Sequence, residues 1–183
     1  MAFWSDANSP EPKRSHRWYM RFNSGNGLMS NIRYACKKVD KPKAKIGEVT
    51  HKYLNHFFYY PGRLEWEAIN ATLASVTDPD ATESLMTVLA LAGYFVPNAA
   101  AEGPNAATIG KNKFDGAIGS IDIVQVNADG VDIETWTLYK PFFTSVQWGS
   151  LDYENENIVD ISLTIRFDYA KLNGALPTIG KPL

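Results

Sequence analysis

The sequence holds one cysteine, Cys36, and three histidines in 183 residues. A lone thiol excludes an internal disulfide and a thiolate metal cluster. His51 and His56 lie five apart, which within a single strand puts them on opposite faces and makes them poor joint ligands. His16 falls at the edge of a polar N-terminal stretch. No apolar run approaches the roughly eighteen residues that a membrane helix needs, so no membrane anchor is expected. The opening MAFWSDANSPEPKR lacks a basic segment followed by an apolar one, so no secretory signal is expected and the cytoplasm is the default compartment. Chemical signatures are missing as well. There is no His-Glu-x-x-His, no P-loop, no dinucleotide fingerprint and no Gly-x-Ser-x-Gly around a serine. Gly25-Asn26-Gly27 reads only as a turn. The acidic run Asp152, Glu154, Glu156 departs from the EF-hand pattern, with no glycine at the sixth place and Leu163 at the twelfth. Paired carboxylates for glycoside hydrolysis need a cleft, and no feature locates one. The expectation is a protein that is not an enzyme and uses no metal or cofactor.

What is present is an aromatic-rich core composition and an uneven charge. Apolar residues make up 45% and aromatics 13%, enough for one domain with a substantial core. Net charge is −2, yet Met1 to Arg63 carries twelve Lys/Arg against four Asp/Glu, and Leu64 to Leu183 carries six against sixteen. Two sheets that interleave the halves would cancel this field, and copies docking head to tail would use it. A basic half can also signal nucleic acid, but these charges are scattered among strand residues with no basic helical stripe and no RNA-binding aromatic motif.

The organising stretch is Ile158 to Ala170, IVDISLTIRFDYA. Val159, Ile161, Leu163, Ile165, Phe167 and Tyr169 alternate with Asp160, Ser162, Thr164, Arg166 and Asp168. That period of two predicts one long strand with a buried face and a wet face. Cys36 is expected mid-strand as a small buried residue.

Taken in order, Met1 to residue 16 reads as an arm containing Phe3 and Trp4, which either dock or stay loose. Arg17–Phe22 and Ile32–Val39 read as strands of a hairpin around the Asn/Gly-rich turn NSGNG. Lys43 to Tyr60 reads as a charged, then aromatic, arm or hairpin that ends in a turn at Pro61-Gly62. Tyr53, Phe57, Phe58, Tyr59 and Tyr60 cannot all face one interior if the segment is a strand, so some point outward as a subunit contact. Arg63–Ser75 reads as a strand whose buried face switches near Ala68, the mark of a bulge or bend. Thr77–Gly93 is the one predicted helix, capped by Asp78, with Leu85, Met86, Val88, Leu89 and Ala92 as its stripe. Pro97–Gly116 reads as loop, and Ala117–Asn127 with Val131–Leu138 as a hairpin around Asp129-Gly130. Pro141–Trp148 is another strand, and residues 171–183 form a tail. The sum is a mainly β fold: two packed antiparallel sheets, as a sandwich or partly open barrel, with one α-helix.

The order of these features carries a resemblance. The break at Lys41-Pro42, the charged extended segment, HFFYYPGRLEWEAINATL running into Asp78-Pro79-Asp80 and a helix, and the closing ENIVDISLTIRFDYA together resemble the tail tube proteins of contractile-tailed bacteriophages. The match spans residues 17–170. The resemblance implies two sheets and one helix per subunit, six subunits to a ring, and rings stacked into a tube that conducts DNA into the host. Tubes of pyocins and of type VI secretion share this architecture. Implied partners are further copies of the chain, the tail sheath, the tape measure, the baseplate and the tube terminator, with phage DNA passing through the bore without sequence-specific binding. The implied place is the virion tail, assembled in the host cytoplasm. Asp160, Ser162, Thr164, Arg166 and Asp168 are then the expected bore lining, since a duct for DNA should be polar without rows of Lys/Arg. Tyr53, Phe57, Phe58, Tyr59 and Tyr60 are the expected subunit contact.

Other readings stay open at this point. A tube-initiating baseplate protein or a tube terminator would share the fold but cap one end. A type VI tube protein would lack the Pro-rich and aromatic arms. A β-sandwich carbohydrate-binding module would present Trp66, Trp136 and Trp148 as sugar platforms.

Overall fold

The computed structural model describes residues 12–25, 27, 29, 35–78, 80–94, 108–154 and 156–173. Phe3 and Trp4, residues 32–34 of the expected second strand, Pro79, residues 97–107 of the expected loop, and the tail beyond residue 173 lie outside them. Among the described residues ten strands and two helices run in the order β1 (Trp18–Asn23), β2 (Cys36–Val39), β3 (Ala44–Tyr53), β4 (His56–Trp66), β5 (Ile69–Ala74), α1 (Ala81–Leu91), α2 (Lys111–Ile118), β6 (Ser120–Val126), β7 (Asp132–Tyr139), β8 (Phe142–Gln147), β9 (Asp160–Arg166) and β10 (Tyr169–Asn173). They build two four-stranded antiparallel sheets, β1-β6-β7-β10 and β2-β5-β9-β8, and a separate two-stranded ribbon, β3-β4. No described helix is long and apolar enough to cross a membrane.

Alternating side chains make the core. Ile69, Ala71 and Leu73 of β5 and Ile161, Leu163 and Ile165 of β9 are buried, and paired positions such as Ala71 and Leu163 stand opposite each other. They pack against Met20, Phe22, Ile121 and Leu138 of the other sheet. β6 is buried on both sides, so Asp122 on its far face must be satisfied. It accepts hydrogen bonds from Arg21 Nε (2.8 Å), Asn23 Nδ2 (2.9 Å) and Thr137 Oγ1 (2.7 Å). The β6–β7 turn forms at Asp129-Gly130 as expected. Gly130 takes φ 78°, and Asn127 Oδ1 accepts from the N–H groups of Asp129 (2.9 Å) and Val131 (2.8 Å).

Several expectations are corrected. Ile158–Ala170 is not one strand. β9 ends at Arg166, the chain turns a corner at Phe167-Asp168, and β10 continues in the other sheet to Asn173. Phe167 stays buried, 6.0 Å from the Trp66 ring, and the Asp168 N–H donates to the Tyr139 carbonyl (3.1 Å). The alternation runs unbroken through the corner because Phe167 still faces the core, so the pattern hides the bend. Tyr169, beyond it, is exposed.

The first two strands do not pair with each other. β1 joins β6 and β2 joins β5, in different sheets. A turn-forming segment permits a hairpin but does not compel one when long-range pairing buries more apolar surface. Pro61-Gly62 does not reverse the chain. The reversal is at Leu54-Asn55, with Leu54 at φ 50°, while Pro61 and Gly62 lie inside β4 at a bulge opposite Gly47. A Cβ on Gly62 would come within 3.0 Å of the Gly47 carbonyl oxygen, so the bulge depends on two glycines meeting there. The switch of faces near Ala68 is present as the break between β4 and β5.

Asp80, not Asp78, caps α1: its Oδ1 accepts from the N–H groups of Thr82 (2.8 Å) and Glu83 (3.3 Å). Leu85, Val88 and Ala92 are buried as expected, but Met86 is exposed. The second helix, α2, occupies residues expected to be loop or strand. Its apolar residues Phe114, Ala117 and Ile118 have helical spacing, but a single turn's worth inside a Gly- and Lys-rich segment is a weak signal. Phe114 anchors it, 6.3 Å from the Phe142 ring and 6.2 Å from that of Phe143.

The two faces of β9 give a direct test. Ile161→Ala should lower the unfolding free energy by about 2–5 kcal/mol, while Ser162→Ala should change it by less than about 0.5 kcal/mol. Chemical denaturation of both variants checks the assignment of faces.

Candidate functional site

Sheet β2-β5-β9-β8 turns a polar side outward, largely uncharged at its centre, with Lys38, Asp160 and Arg166 toward its edges. Cross-strand partners point the same way, so Asn70, Thr164 and Ser145 form one row and Thr72, Ser162 and Gln147 the next. Lys38 opposes Thr72 at the β2 edge. Thr164 Oγ1 donates to Asn70 Oδ1 (3.2 Å), and Asn70 Nδ2 to Asp40 Oδ2 (3.3 Å). The result is a hydroxyl- and amide-covered surface across three strands.

Of the expected lining residues, Asp160, Ser162, Thr164 and Arg166 belong to this face of β9, with Ser162 and Arg166 exposed. Asp168 lies beyond the corner and pairs with Lys111 of α2, Nζ to Oδ2 at 2.6 Å. Asp160 at the other end pairs with Lys37 (2.7 Å). Both carboxylates therefore have a lysine partner, and the middle of the face is neutral. Asn70, Thr72, Ser145 and Gln147 were not singled out from sequence. The signal was available in β5, where Asn70 and Thr72 sit between buried Ile69, Ala71 and Leu73.

The β3-β4 ribbon is the second candidate surface. Ten residues at roughly 3.3 Å each carry it about 30 Å from its root. The register places Val49, His51, Tyr53, His56, Phe58 and Tyr60 on one face and Glu48, Thr50, Lys52, Phe57 and Tyr59 on the other. Both faces are open: Phe58 and Tyr60 are 48% and 56% exposed on the first, Phe57 and Tyr59 57% and 65% on the second. Tyr53 is 62% exposed, so all five expected contact residues lie on this ribbon and none is in the core. Lys52 Nζ stands 5.7 Å from the centre of the Phe57 ring. His51 and His56 share a face, against the expectation, because the chain reverses between them. Among the described residues no group of three or more His, Cys, Asp or Glu could hold a metal.

Glu134 of β7 gathers the segment entering β3 and the start of the chain onto sheet β1-β6-β7-β10. It accepts from Lys41 Nζ (2.7 Å) and Trp136 Nε1 (2.7 Å) through Oε1 and pairs with Lys13 through Oε2. Lys41 also donates to Gln125 Oε1 (2.9 Å), whose Nε2 donates to the Arg14 carbonyl (3.1 Å). One carboxylate thus ties β7 to the segment entering β3 and to the start of the chain. Desolvation pushes the Glu134 carboxyl up, but hydrogen bonds from Lys13, Lys41 and Trp136 outweigh it and hold it down at about 2. Burial pushes the Cys36 thiol up to about 12, so it carries no reactive thiolate.

The three tryptophans form no platform. Trp66 packs on Phe167 and Trp136 bonds Glu134, both half-buried, whereas Trp148 is exposed beside the β8–β9 loop.

No family model matches the sequence, and no curated protein does. Solved structures share the fold. A chain of the anti-feeding prophage baseplate, determined with 6-fold symmetry, is 15% identical with a TM-score of 0.64, over 89% of this chain and 96% of that one. A chain of the anti-feeding prophage tube-terminating cap is 14% identical with a TM-score of 0.63, over 96% and 100%. A chain of the sheath-tube complex of the PVC extracellular contractile injection system is 13% identical with a TM-score of 0.61, over 89% and 92%. The chain has the tube-like fold found in contractile injection systems.

The Glu134 clamp predicts an acid-sensitive stability. A carboxyl held low in the folded state stabilises it above the ordinary glutamate range, and that contribution is lost as pH falls through about 2. Glu134→Gln should cost about 1–3 kcal/mol near neutral pH, and the gap from the unsubstituted protein should close as pH falls below about 4.3. Denaturant titrations of both proteins across that range check it.

Proposed function

We propose that this chain is a structural subunit of the inner tube of a contractile particle, forming six-membered rings that stack into a hollow conduit. The β3-β4 ribbon carries this reading. A two-stranded ribbon with aromatics on both faces is marginal alone in water, and so much contiguous apolar surface marks a protein contact. Neighbouring copies supply the cover. Tyr53, Phe57, Phe58, Tyr59 and Tyr60 form that contact.

The polar face of β2-β5-β9-β8 lines the bore. Asp160, Ser162, Thr164 and Arg166 contribute to it with Asn70 and Thr72, and Asp168 sits at its margin. A neutral hydroxyl and amide surface lets a polyanion such as DNA slide, because few cations hold its phosphates. Ring closure also covers the β2 and β8 edges, whose unpaired backbone groups invite strand addition. The role requires no chemistry, so the chain acts as a structural part and not as an enzyme. Its partners are then a sheath outside, a tape measure inside, and a baseplate and terminator at the ends, in a phage tail or phage-like particle built in the producing cell.

The match to a tube-terminating cap along its full length favours a second reading, in which the chain closes a tube instead of extending it. Self-assembly separates the two.

Negative-stain electron microscopy with sedimentation is the test. Purified protein should form hollow tubes or six-fold rings, and a strict monomer at high concentration favours the cap. Phe57 and Phe58 point to opposite faces, so the double change Phe57→Ser with Phe58→Ser strips both. It should abolish assembly while leaving the circular dichroism of the β fold intact. Intact tubes from that variant would remove the ribbon from the contact.

A further inference from the structure

The ribbon needs a socket, and the other end of the same sheet offers one. β5 begins at Ile69 and β9 ends at Arg166, on the side where the ribbon leaves. β9 begins at Asp160, opposite Ala74, and the β8–β9 loop precedes it on the far side. Seven residues of β9 separate the two ends by about 20 Å.

That loop is unusual for a surface connection. Leu151 is 88% exposed, Tyr153 is fully exposed and Ile158 is 65% exposed. Its two limbs enclose a cleft of about 530 Å³ lined by Leu151, Tyr153, Ile158 and Val159 among others. Gly149 permits the fold-back. It takes φ 82°, and a Cβ there would lie 2.8 Å from the Asp160 carbonyl oxygen. Charge completes the picture. Residues 149–158 hold Asp152, Glu154 and Glu156 and no Lys or Arg, whereas residues 51–58 at the ribbon tip hold Lys52, His51 and His56 and no Asp or Glu.

We infer that the β8–β9 loop is the socket that receives the β3-β4 ribbon tip of a second copy of this chain. Apolar side chains of the tip meet Leu151, Tyr153 and Ile158, and the carboxylates of the loop face Lys52 and the two imidazoles. Ribbon and socket lie at opposite ends of sheet β2-β5-β9-β8 and so cannot meet within one copy, and in the stacked rings proposed above their contact runs head to tail. The inference rests on the assembly proposed above and names the acceptor that it requires.

Cysteine pairing tests it in the full-length chain. In a Cys36→Ala background, one protein carries Asn55→Cys at the ribbon tip and another carries Ser150→Cys in the loop. Both positions are exposed and neither is an apolar contact. The mixture is imaged to establish assembly and then treated with a short bismaleimide. Cross-linked pairs holding one copy of each, with few of either alone, are the expected result. Lys52→Glu on the tip partner should lower that yield about threefold, and Asp152→Lys on the loop partner should restore it. Assemblies that form without mixed pairs would overturn the socket and leave the tube reading standing. No assemblies at any protein concentration would overturn the tube reading and the socket with it.

Discussion

Apolar side chains on both sides of a two-stranded ribbon cannot be buried by that ribbon. A strand has two faces, and a pair of strands with nothing packed on either leaves both to water. The β3-β4 ribbon is in this position from Ile46 to Leu64, both of which are themselves exposed. The sandwich beneath it is complete without it. Folding therefore buries the apolar surface of the sandwich and leaves that of the ribbon exposed.

The sandwich is built to hold that ribbon in place. Its core divides β9 cleanly, with Ile161, Leu163 and Ile165 inward and a neutral polar surface outward. At the margins of that surface Lys37 pairs with Asp160 and Lys111 with Asp168, and Lys38 and Arg166 also lie at its edges. Glu134 works differently. It is largely shielded, is served by three donors, and locks the approach to β3 against the opposite sheet. Shielding strengthens such a cluster relative to an ion pair in open water.

Much of this was legible in the residues. The alternation of β9 announced its two faces, and the aromatic density near Phe57 announced a surface that a single strand could not bury. Asp129-Gly130 marked its turn because a left-handed residue is needed there. What was not legible has physical causes. The corner at Phe167-Asp168 keeps the alternation in step, so no break appears in the pattern. The partner of β1 is β6, about a hundred residues away by register (Met20 with Ile123), and local turn chemistry is silent about such pairings. Pro61-Gly62 has the composition of a turn but serves a bulge, where a missing N–H and a missing Cβ are equally useful. That Asn70 of β5 and Ser145 of β8 share one polar face with Thr164 follows from the register between strands, which β9 alone does not carry.

The glycine-on-glycine bulge at the root of the ribbon has a mechanical consequence. A rigid arm of about 23 Å beyond the bulge turns a change of about 5° there into a displacement of about 2 Å at its tip. Gly47 and Gly62 set that base angle by how closely their backbones approach. In the stack of rings proposed above, the same offset would repeat at every level, so an error that is small in one subunit would accumulate along the whole length. The pitch of such a stack would then depend on two residues that carry no side chain.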